Sequence, residues 1–387
     1  MSWPMVKLGD VAPATPVKDI NLNHDELVWQ LNLDQVESNT GQVIDKVKKP
    51  ALKAGSSTYF FNNEHVLYSK LRPYLNKVVI PDELGIATTE LVPMKPDQKR
   101  LNKKYLAYYL RSKPFVEWIS TQVSGAKMPR VVMSVFWQHE MPLPPLDEQE
   151  RIVSILDKSD GIRQKREQAV KLADDFLHAT FLEMFGDPVE NPKGWNVKPL
   201  ADQIVHANNG ISRRRKEDTN EGDIVLRLQD VHYSGIAFDK ELNRIKLVDK
   251  EKQIARVEYD DLLFIRVNGN PNYVGRTAVF KSYIEPVYHN DHLIRIKLDN
   301  EYKSDFLCYL INSPFSRKLI SQQIKTSAGQ HTISQDGILK LEFYRPPVEL
   351  QENFINIKNK IESIFYRKDK HEDLYASISN KLLHSIK

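Results

Sequence analysis

The sequence has little cysteine and no long apolar run. Its 387 residues include one cysteine, Cys308, which excludes an intrachain disulfide and a cysteine-based metal cluster. Such sparse use of cysteine is typical of a reducing, cytosolic environment. No run approaches the roughly 18 to 20 consecutive apolar residues of a membrane span, and the opening residues do not resemble a signal peptide. We therefore expect a cytoplasmic protein with no membrane contact.

Catalytic motifs are also missing. There is no Asn/Asp-Pro-Pro-Tyr/Phe methyltransferase motif, since Asp187-Pro188 continues with Val189. The sequence contains no GxxxxGK phosphate loop and no CxxC pair, and neither Pro81-Asp82 nor Pro96-Asp97 is followed by a nuclease-type E-x-K. Histidines such as His139, His289 and His292 lack a ligand cluster. We expect this chain to have no catalytic residues and no metal site.

What the sequence does contain suits two or three folded domains. Hydrophobic residues make up 41% of the chain and aromatic residues 9%, which is enough for folded cores at this length. The formal net charge of +4 permits nucleic-acid binding without requiring it.

One stretch of the chain occurs twice. Residues 142–186 and residues 345–387 align when Pro144-Pro145 is matched to Pro346-Pro347, and this also matches Gln149-Glu150 to Gln351-Glu352. After each match, seam positions recur at alternating steps of three and four, which predicts a long helix with one buried stripe. The seam residues are Ile152, Ile155, Ile162, Ala169, Ala173 and Phe176 in the first copy, and Phe354, Ile357, Ile361, Ile364, Tyr375, Ile378 and Leu382 in the second.

Both seams are apolar near their ends and weaker in the middle, which favours antiparallel pairing of the two helices. A helix of roughly 37 residues is about 55 Å long, so the pair is better suited to be a spacer than an enzyme core. The alternative is two unrelated surface helices.

Each helix follows a copy of one domain. Residues 66–76 match residues 262–270 as strands, and residues 104–115 match residues 305–315 as a helix broken by proline. A repeat near 200 residues indicates a duplicated domain. Between residues 18 and 61, and between residues 212 and 259, no match is found. That contrast favours two domains with different targets, although ordinary loop divergence explains it equally well.

Three groups of polar residues are candidates for DNA contact. The run at Arg213, Arg214 and Arg215 suits phosphate neutralisation, or forms a solvated loop. Residues at the ends of the matching strands could pair with base edges, or serve as turn residues; they are Lys70, Arg72, Arg266, Asn268 and Asn270. Glycine-containing loops, where backbone can approach a phosphate, or which simply connect a helix to a strand, carry Lys127, Arg130, Gln330 and His331.

The repeated unit of domain, proline-marked junction and long helix resembles the specificity (S) subunit of Type I restriction-modification systems. The most specific element is Pro142-Leu-Pro-Pro-Leu-Asp-Glu-Gln-Glu-Arg-Ile152, and the resemblance covers essentially all 387 residues. It implies an α+β fold in which two similar target-recognition domains are separated by a long antiparallel two-helix coiled coil with a pseudo-two-fold internal repeat. The corresponding segments are 1–146, 147–188 (central helix), 189–347 and 348–387 (C-terminal helix).

The same resemblance implies function and partners. Each target-recognition domain would read one half of a bipartite, asymmetric site on double-stranded DNA. The helices would dock two adenine methyltransferase (M) subunits, and restriction (R) motor-nuclease subunits would join for cleavage. This chain would then bind no cofactor of its own, because S-adenosylmethionine, ATP and Mg would belong to the partner subunits.

Two other classes of function stay open at this point. One is a stand-alone methyltransferase or nuclease with disguised motifs, and it requires methylation or cleavage by the purified chain. The other is a coiled-coil adaptor whose domains bind proteins, and its DNA affinity would not depend on the charges at Arg213 to Arg215.

Overall fold

The computed structural model describes residues 3–18, 23, 25–50, 58–212, 221–233, 235–239, 241–365 and 370–384, with backbone alone in 370–376. The chain divides into two compact units. Unit 1 comprises Met1–Gln168 and Lys368–Lys387, and unit 2 comprises Ala169–Arg367. One boundary falls inside the predicted central segment 147–188 and the other inside the predicted C-terminal segment 348–387, so each unit contains parts of both segments.

Unit 1 is a mixed α/β fold. Strands β2, β3, β4 and β7 form one sheet in the order β3-β2-β7-β4, and a second sheet has the order β6-β5-β8. Strand β1 pairs with β11, and β9 pairs with β10 in a hairpin. The elements are β1 (Met5–Lys7), α1 (Leu8–Val11), β2 (Leu27–Leu31), β3 (Lys48–Pro50), β4 (Thr58–Phe61), β5 (Val66–Ser69), β6 (Val78–Val79), β7 (Gly85–Thr88), β8 (Leu91–Met94), α2 (Lys103–Arg111), α3 (Lys113–Thr121), β9 (Val123–Ser124), β10 (Arg130–Val131), α4 (Met133–Gln138), β11 (Glu140–Pro142) and α5 (Leu146–Phe185).

Unit 2 is built in the same way. Its sheets have the orders β13-β22-β18-β20, β17-β14-β21 and β19-β24-β23, and β12 pairs with β25 and β15 with β16. The elements are β12 (Asn196–Pro199), β13 (Ile204–Asn209), β14 (Asp223–Leu226), β15 (Val231–His232), β16 (Gly235–Ile236), β17 (Arg244–Ile245), α6 (Asp249–Ala255), β18 (Leu262–Ile265), β19 (Val267–Asn268), β20 (Thr277–Val279), β21 (Val287–His289), β22 (Leu293–Leu298), α7 (Ser304–Asn312), α8 (Pro314–Gln322), β23 (Ile324–Ser327), β24 (Gln330–Ile333), α9 (Gln335–Leu339), β25 (Glu342–Arg345), α10 (Val348–Phe365) and α11 (Lys370–His384); α11 belongs to unit 1.

The two units share their strand pairings. Strand β5 lies antiparallel to β6 and β8, just as β18 lies antiparallel to β20 and β22. Strand β2 runs parallel to β7 and antiparallel to β3, and β14 runs parallel to β21 and antiparallel to β17. Strands β2 and β14 lie in the regions where the sequences do not match. The duplication therefore extends through those regions as structure.

Helix α5 is one continuous helix of 40 residues, about 60 Å long. Prolines 144 and 145 precede it, and Asp147 and Glu148 occupy its first turn, where carboxylates favour a helix N-terminus. Gly186, with a φ of +77°, follows its last residue in the left-handed conformation that commonly ends helices. The described C-terminal segment consists of α10 and α11, and residues 366–369 between them lie outside the described residues.

Both helical segments contribute to the core of each unit. In unit 1, Ile152 and Leu156 of α5 belong to the same buried cluster as Leu383 of α11. In unit 2, Phe181 and Phe185 of α5 pack on Phe354 of α10, with ring centroids 5.3 and 5.7 Å apart. Aromatic contacts of this kind add to the free energy gained by burial.

The buried stripe only partly follows the predicted seam. Four of the predicted seam residues are buried: Ile152, Ala173, Phe354 and Ile361. Five more are half-buried: Ile155, Ala169, Ile357, Ile378 and Leu382. Three predicted seam residues are instead exposed: Ile162 at 69%, Phe176 at 59% and Ile364 at 67%. The side chain of Tyr375 lies outside the described residues.

The exposure of Phe176 has a geometric cause. A strict seven-residue repeat drifts by about 20° per heptad against a straight helix of 3.6 residues per turn. Carried forward from Ile152, the predicted seam rotates away from the buried side before it reaches Phe176. The residues that are buried there instead are Leu177, Phe181 and Phe185.

A buried glutamine joins each long helix to its unit. The Gln149 amide donates hydrogen bonds to the carbonyls of Arg100 and Pro144, both at 2.8 Å, and its Oε1 accepts one from the Asn102 N–H at 2.8 Å. Gln351 repeats all three bonds, with the carbonyls of Glu301 and Pro346 and the N–H of Lys303. Both glutamines are 0% exposed. We call this arrangement the glutamine clamp.

We expect Gln149→Ala to destabilise unit 1 and Gln351→Ala to destabilise unit 2, each by about 2–4 kcal/mol, because backbone groups lose their partners in a buried place. Hydrogen exchange measured by mass spectrometry checks this: the affected unit should exchange faster and the other should not change. The control is Glu150→Ala, an exposed neighbour. Equal exchange in Gln149→Ala and the control would contradict the clamp.

Candidate nucleic-acid interface

In unit 1 the predicted strand end and the predicted loop lie side by side. After β5 the chain continues through Lys70 to Arg72 and pairs with the second strand of the β9–β10 hairpin. The Arg72 N–H donates to the Pro129 carbonyl and the Val131 N–H donates to the Lys70 carbonyl, both at 2.8 Å. Leu71 forms a bridge with Arg130. We call residues 70–72 and 127–130 the hairpin edge of unit 1.

Unit 2 has the equivalent edge. The Ile333 N–H donates to the Arg266 carbonyl at 2.9 Å, and Asn268 of β19 is the register partner of His331 in β24. Asn270 follows directly, and Gln330 begins β24. Residues 266–270 and 330–332 form the hairpin edge of unit 2. Both units therefore assemble the two groups of candidate residues on one surface.

The side chains on these edges differ in availability. In unit 1, Arg72 and Lys127 are exposed, and Arg72 has a φ of +49°. Arg130 is exposed but its Nε donates to Glu90 at 3.0 Å, which offsets part of its charge. The first edge thus presents two exposed cations for which the described residues show no carboxylate partner, Arg72 and Lys127.

In unit 2 more of the edge is occupied by local hydrogen bonds. Asn268 Oδ1 accepts from the Asn270 N–H at 2.9 Å, and Asn270 Oδ1 accepts from the Asn272 N–H at 3.0 Å. The Arg266 guanidinium donates to the Asp291 carbonyl, and the His331 ring lies 2.8 Å from the Thr326 hydroxyl. The side-chain oxygens of the two asparagines therefore stabilise the turn, and the described residues show no partner for their amide NH₂ groups. Arg213, Arg214 and Arg215 lie outside the described residues.

Two aromatic residues beside the edges were missed from the sequence. Tyr74 and Tyr273 lie in short 3₁₀ turns that follow each strand end and begin at Pro73 and Pro271. Both rings are exposed. A proline followed within two residues by tyrosine, at the same place in both copies, is the signal that could have found them.

Two of the histidines noted in the sequence, His139 and His289, are half-buried and buried. In the part of the chain that the structure describes, no group of three histidine, cysteine or carboxylate side chains could hold a metal ion. His289 is fully buried, and burial lowers its pKa to about 4. The same cause lowers the pKa of His139 to about 4, and its ring lies 2.9 Å from the Tyr109 hydroxyl. These two histidines are neutral parts of the packing. No described helix has the length and apolar character needed to cross a bilayer.

Comparison with known proteins places this architecture. The family model for the Type I restriction modification DNA specificity domain matches residues 2–172. The chain is 30% identical over 280 residues to the StySPI specificity subunit of Salmonella potsdam, covering 69% of this chain and 59% of that protein. It is 24% identical over 285 residues to the EcoKI specificity subunit of Escherichia coli K12, covering 69% and 60%. The matches thus span about 60% of the length of these relatives.

A solved structure shares the fold over the whole chain. The Type I restriction-modification system S subunit from M. genitalium matches with a TM-score of 0.58 at 15% identity, covering 100% of this chain and 97% of that one. At that identity the likeness concerns the fold alone.

We expect Arg72→Asn and Lys127→Asn to weaken binding of unit 1 to DNA. If each cation neutralises one phosphate, each substitution lowers the slope of log affinity against log salt by about 0.9. Asparagine tolerates the left-handed backbone at position 72 and is the residue at the equivalent position 268. Fluorescence anisotropy across a salt series measures both affinity and slope.

The matched control is Lys99→Asn, which removes one exposed cation from a turn of the same unit. It should leave affinity and slope unchanged. If the double variant Arg72→Asn with Lys127→Asn binds as the control does, the hairpin edge of unit 1 does not face DNA.

Proposed function

We propose that this chain, which is similar to Type I restriction-modification specificity subunits, is the sequence-reading subunit of a Type I restriction-modification complex. In this proposal each unit recognises one half of a bipartite, asymmetric site on double-stranded DNA. The chain performs no catalysis itself. Adenine methylation and cleavage belong to M and R subunits, which bring S-adenosylmethionine, ATP and Mg. A cytoplasmic location, where the DNA lies, is part of the proposal.

The observation that carries the proposal is the repeated hairpin edge. Two units with the same strand pairings present the same backbone platform, yet the side chains on it differ. Where unit 1 has Lys70 and Arg72, unit 2 has Arg266 and Asn268. Arginine pairs well with guanine and asparagine with adenine in the major groove. Two domains that recognise different half-sites need the same backbone arrangement with different side chains on it, and the two hairpin edges have this property.

The long helices support the spacing between the readers. Unit 1 combines the first part of α5 with α11, and unit 2 combines the second part of α5 with α10. Such sharing is expected of two helices that run antiparallel, and we propose this coiled coil as the spacer. With α5 about 60 Å long, the half-sites would lie on the order of one DNA turn or somewhat more apart, where the grooves again face the same side.

Exposed apolar residues of α5 favour a protein partner that binds to the long helices. Leu172 and Phe176 are exposed and lie four residues apart, which places them on one face. Neighbouring apolar side chains on a helix surface are a common feature of protein interfaces. We propose that this face of α5 docks one of two M subunits.

The split-site proposal predicts the DNA requirement of the assembled complex. Purified chain with its M subunit should shift DNA that carries both half-sites at the natural gap. It should bind DNA with one half-site about 100-fold more weakly or worse, because the lost base contacts are worth about 1–3 kcal/mol each. Electrophoretic mobility shifts with both-site, one-site and altered-gap DNA measure this. Equal binding to all three would rule out the proposal, and so would methylation by the chain alone.

The docking proposal predicts the effect of charge on the apolar face. Leu172→Asp and Phe176→Asp should abolish co-purification with the M subunit while the chain stays folded, because both side chains are exposed and buried unpaired charge is costly. The control is Lys171→Asp, which places the same carboxylate on an exposed position about 100° around the helix from Leu172. Retained co-purification in both variants would show that M binds elsewhere.

A further inference from the structure

One arginine beside the hairpin edge of unit 2 is held in an unusual environment. Arg276 immediately precedes β20, and its carbonyl accepts a hydrogen bond from the Ile265 N–H at 2.8 Å. Ile265 is the last residue of β18, so Arg276 is anchored where that strand ends and the edge begins. Sequence reasoning did not select it, because it stands alone in the sequence without neighbouring cations.

Two tyrosine rings hold its guanidinium. The central carbon, Cζ, lies 3.9 Å from the ring centroid of Tyr233 and 4.2 Å from that of Tyr273. Both rings are partly exposed, at 54% and 40%. The Nε atom of Arg276 is buried and has no hydrogen-bond partner, and no described carboxylate forms an ion pair with this side chain. The positive charge of Arg276 is therefore stabilised by the faces of the two rings, and its N–H groups do not donate to a described carboxylate.

The support beneath this arrangement is fixed by α8. The Arg317 guanidinium donates to the carbonyls of Val274 and Pro271, both at 3.0 Å, and so holds the turn that carries Tyr273. Gly275 has a φ of +79°, and a Cβ there would lie 2.6 Å from Ile320 of α8. The turn can pack this closely only with glycine at that position. Tyr273 and Arg276 are thus held before any ligand arrives.

The equivalent residue of unit 1 is used differently. Lys77 occupies the same place in the sheet, because its carbonyl accepts from the Ser69 N–H at 3.0 Å. Its ammonium, however, donates to the Leu33 carbonyl at 2.6 Å. Lys77 of unit 1 therefore stabilises the fold through a backbone hydrogen bond, whereas Arg276 of unit 2 is oriented by two tyrosine rings.

We propose that Arg276 reads a guanine in the half-site recognised by unit 2, an inference that rests on the proposed function. A guanidinium is a planar fork whose N–H groups pair with O6 and N7 of guanine in the major groove. Contact with the two rings limits its rotation and leaves donors at its edge. A phosphate contact needs charge but no fixed orientation, so the orienting rings favour a base edge as the ligand.

The test compares sequence preference with overall affinity. Wild-type and Arg276→Lys chains are assembled with the M subunit and used to select from a DNA library randomised in both half-sites. Lysine keeps the charge but loses the fork. We expect the preference for G at one position of one half-site to fall roughly 10- to 100-fold. The preferences in the other half-site and the salt dependence of binding should stay as in wild type.

The tyrosines provide an independent variant and its control. Tyr273→Phe keeps the ring face and should keep the preference for G, whereas Tyr273→Leu removes the ring and should weaken preference at the same position that Arg276→Lys affects. This pair checks the proposal even where one arginine variant folds poorly.

Different results would contradict the proposed function and the role of Arg276. A wild-type complex with no split-site preference would remove the proposed function and this inference with it. Wild-type preference that survives unchanged in Arg276→Lys would overturn the inference alone. So would an equal loss of affinity for all sequences in Arg276→Ala with a shallower salt slope, which is the behaviour of a phosphate contact.

Discussion

The glutamine clamp is the constraint on which the rest of the structure depends. One buried amide satisfies two carbonyls and one N–H at the junction of sheet, short helix and long helix, and the chain makes this junction twice. Leaving those backbone groups unpaired in a buried place would cost more than most surface contacts contribute. These hydrogen bonds therefore tie the start of α5 and the start of α10 to the backbone of the unit that each helix follows.

The two units differ most in the side chains of their hairpin edges, where we propose that each contacts DNA. The backbone pairing of strand end and hairpin is repeated, yet its side chains range from the free Arg72 and Lys127 to the asparagines of unit 2. Arg276 and Lys77 also occupy equivalent backbone positions and make different side-chain contacts. The same backbone pairing thus carries different hydrogen-bonding side chains in the two units. The proposed recognition of an asymmetric site requires such a difference.

The sequence predicted the repeated helices and strands better than the side chains that are exposed on them. The repeated Pro-Pro and Gln-Glu pairs lie at the starts of α5 and α10, and α5 spans residues 146–185 where the sequence predicted a helix over 147–188. The matched strands led to β5 and β18. The heptad pattern placed Ile162, Phe176 and Ile364 on the wrong side. At Phe176 the reason is that small differences in period accumulate along a long helix. The sequence analysis missed that β2 pairs in parallel with β7 and β14 with β21, because each strand pairs with a segment more than 50 residues away in the chain.

The most direct test of the central claim, one chain with two readers on one spacer, is methylation-aware sequencing of host DNA with and without this gene. The account predicts that deletion removes a single adenine-methylated motif, made of two different half-sites with a constant gap. Substitution of Gln351 in the clamp or of Arg276 should then affect only the half-site read by unit 2. Deletion that leaves every methylated motif in place, or that removes only an undivided or palindromic motif, would contradict it.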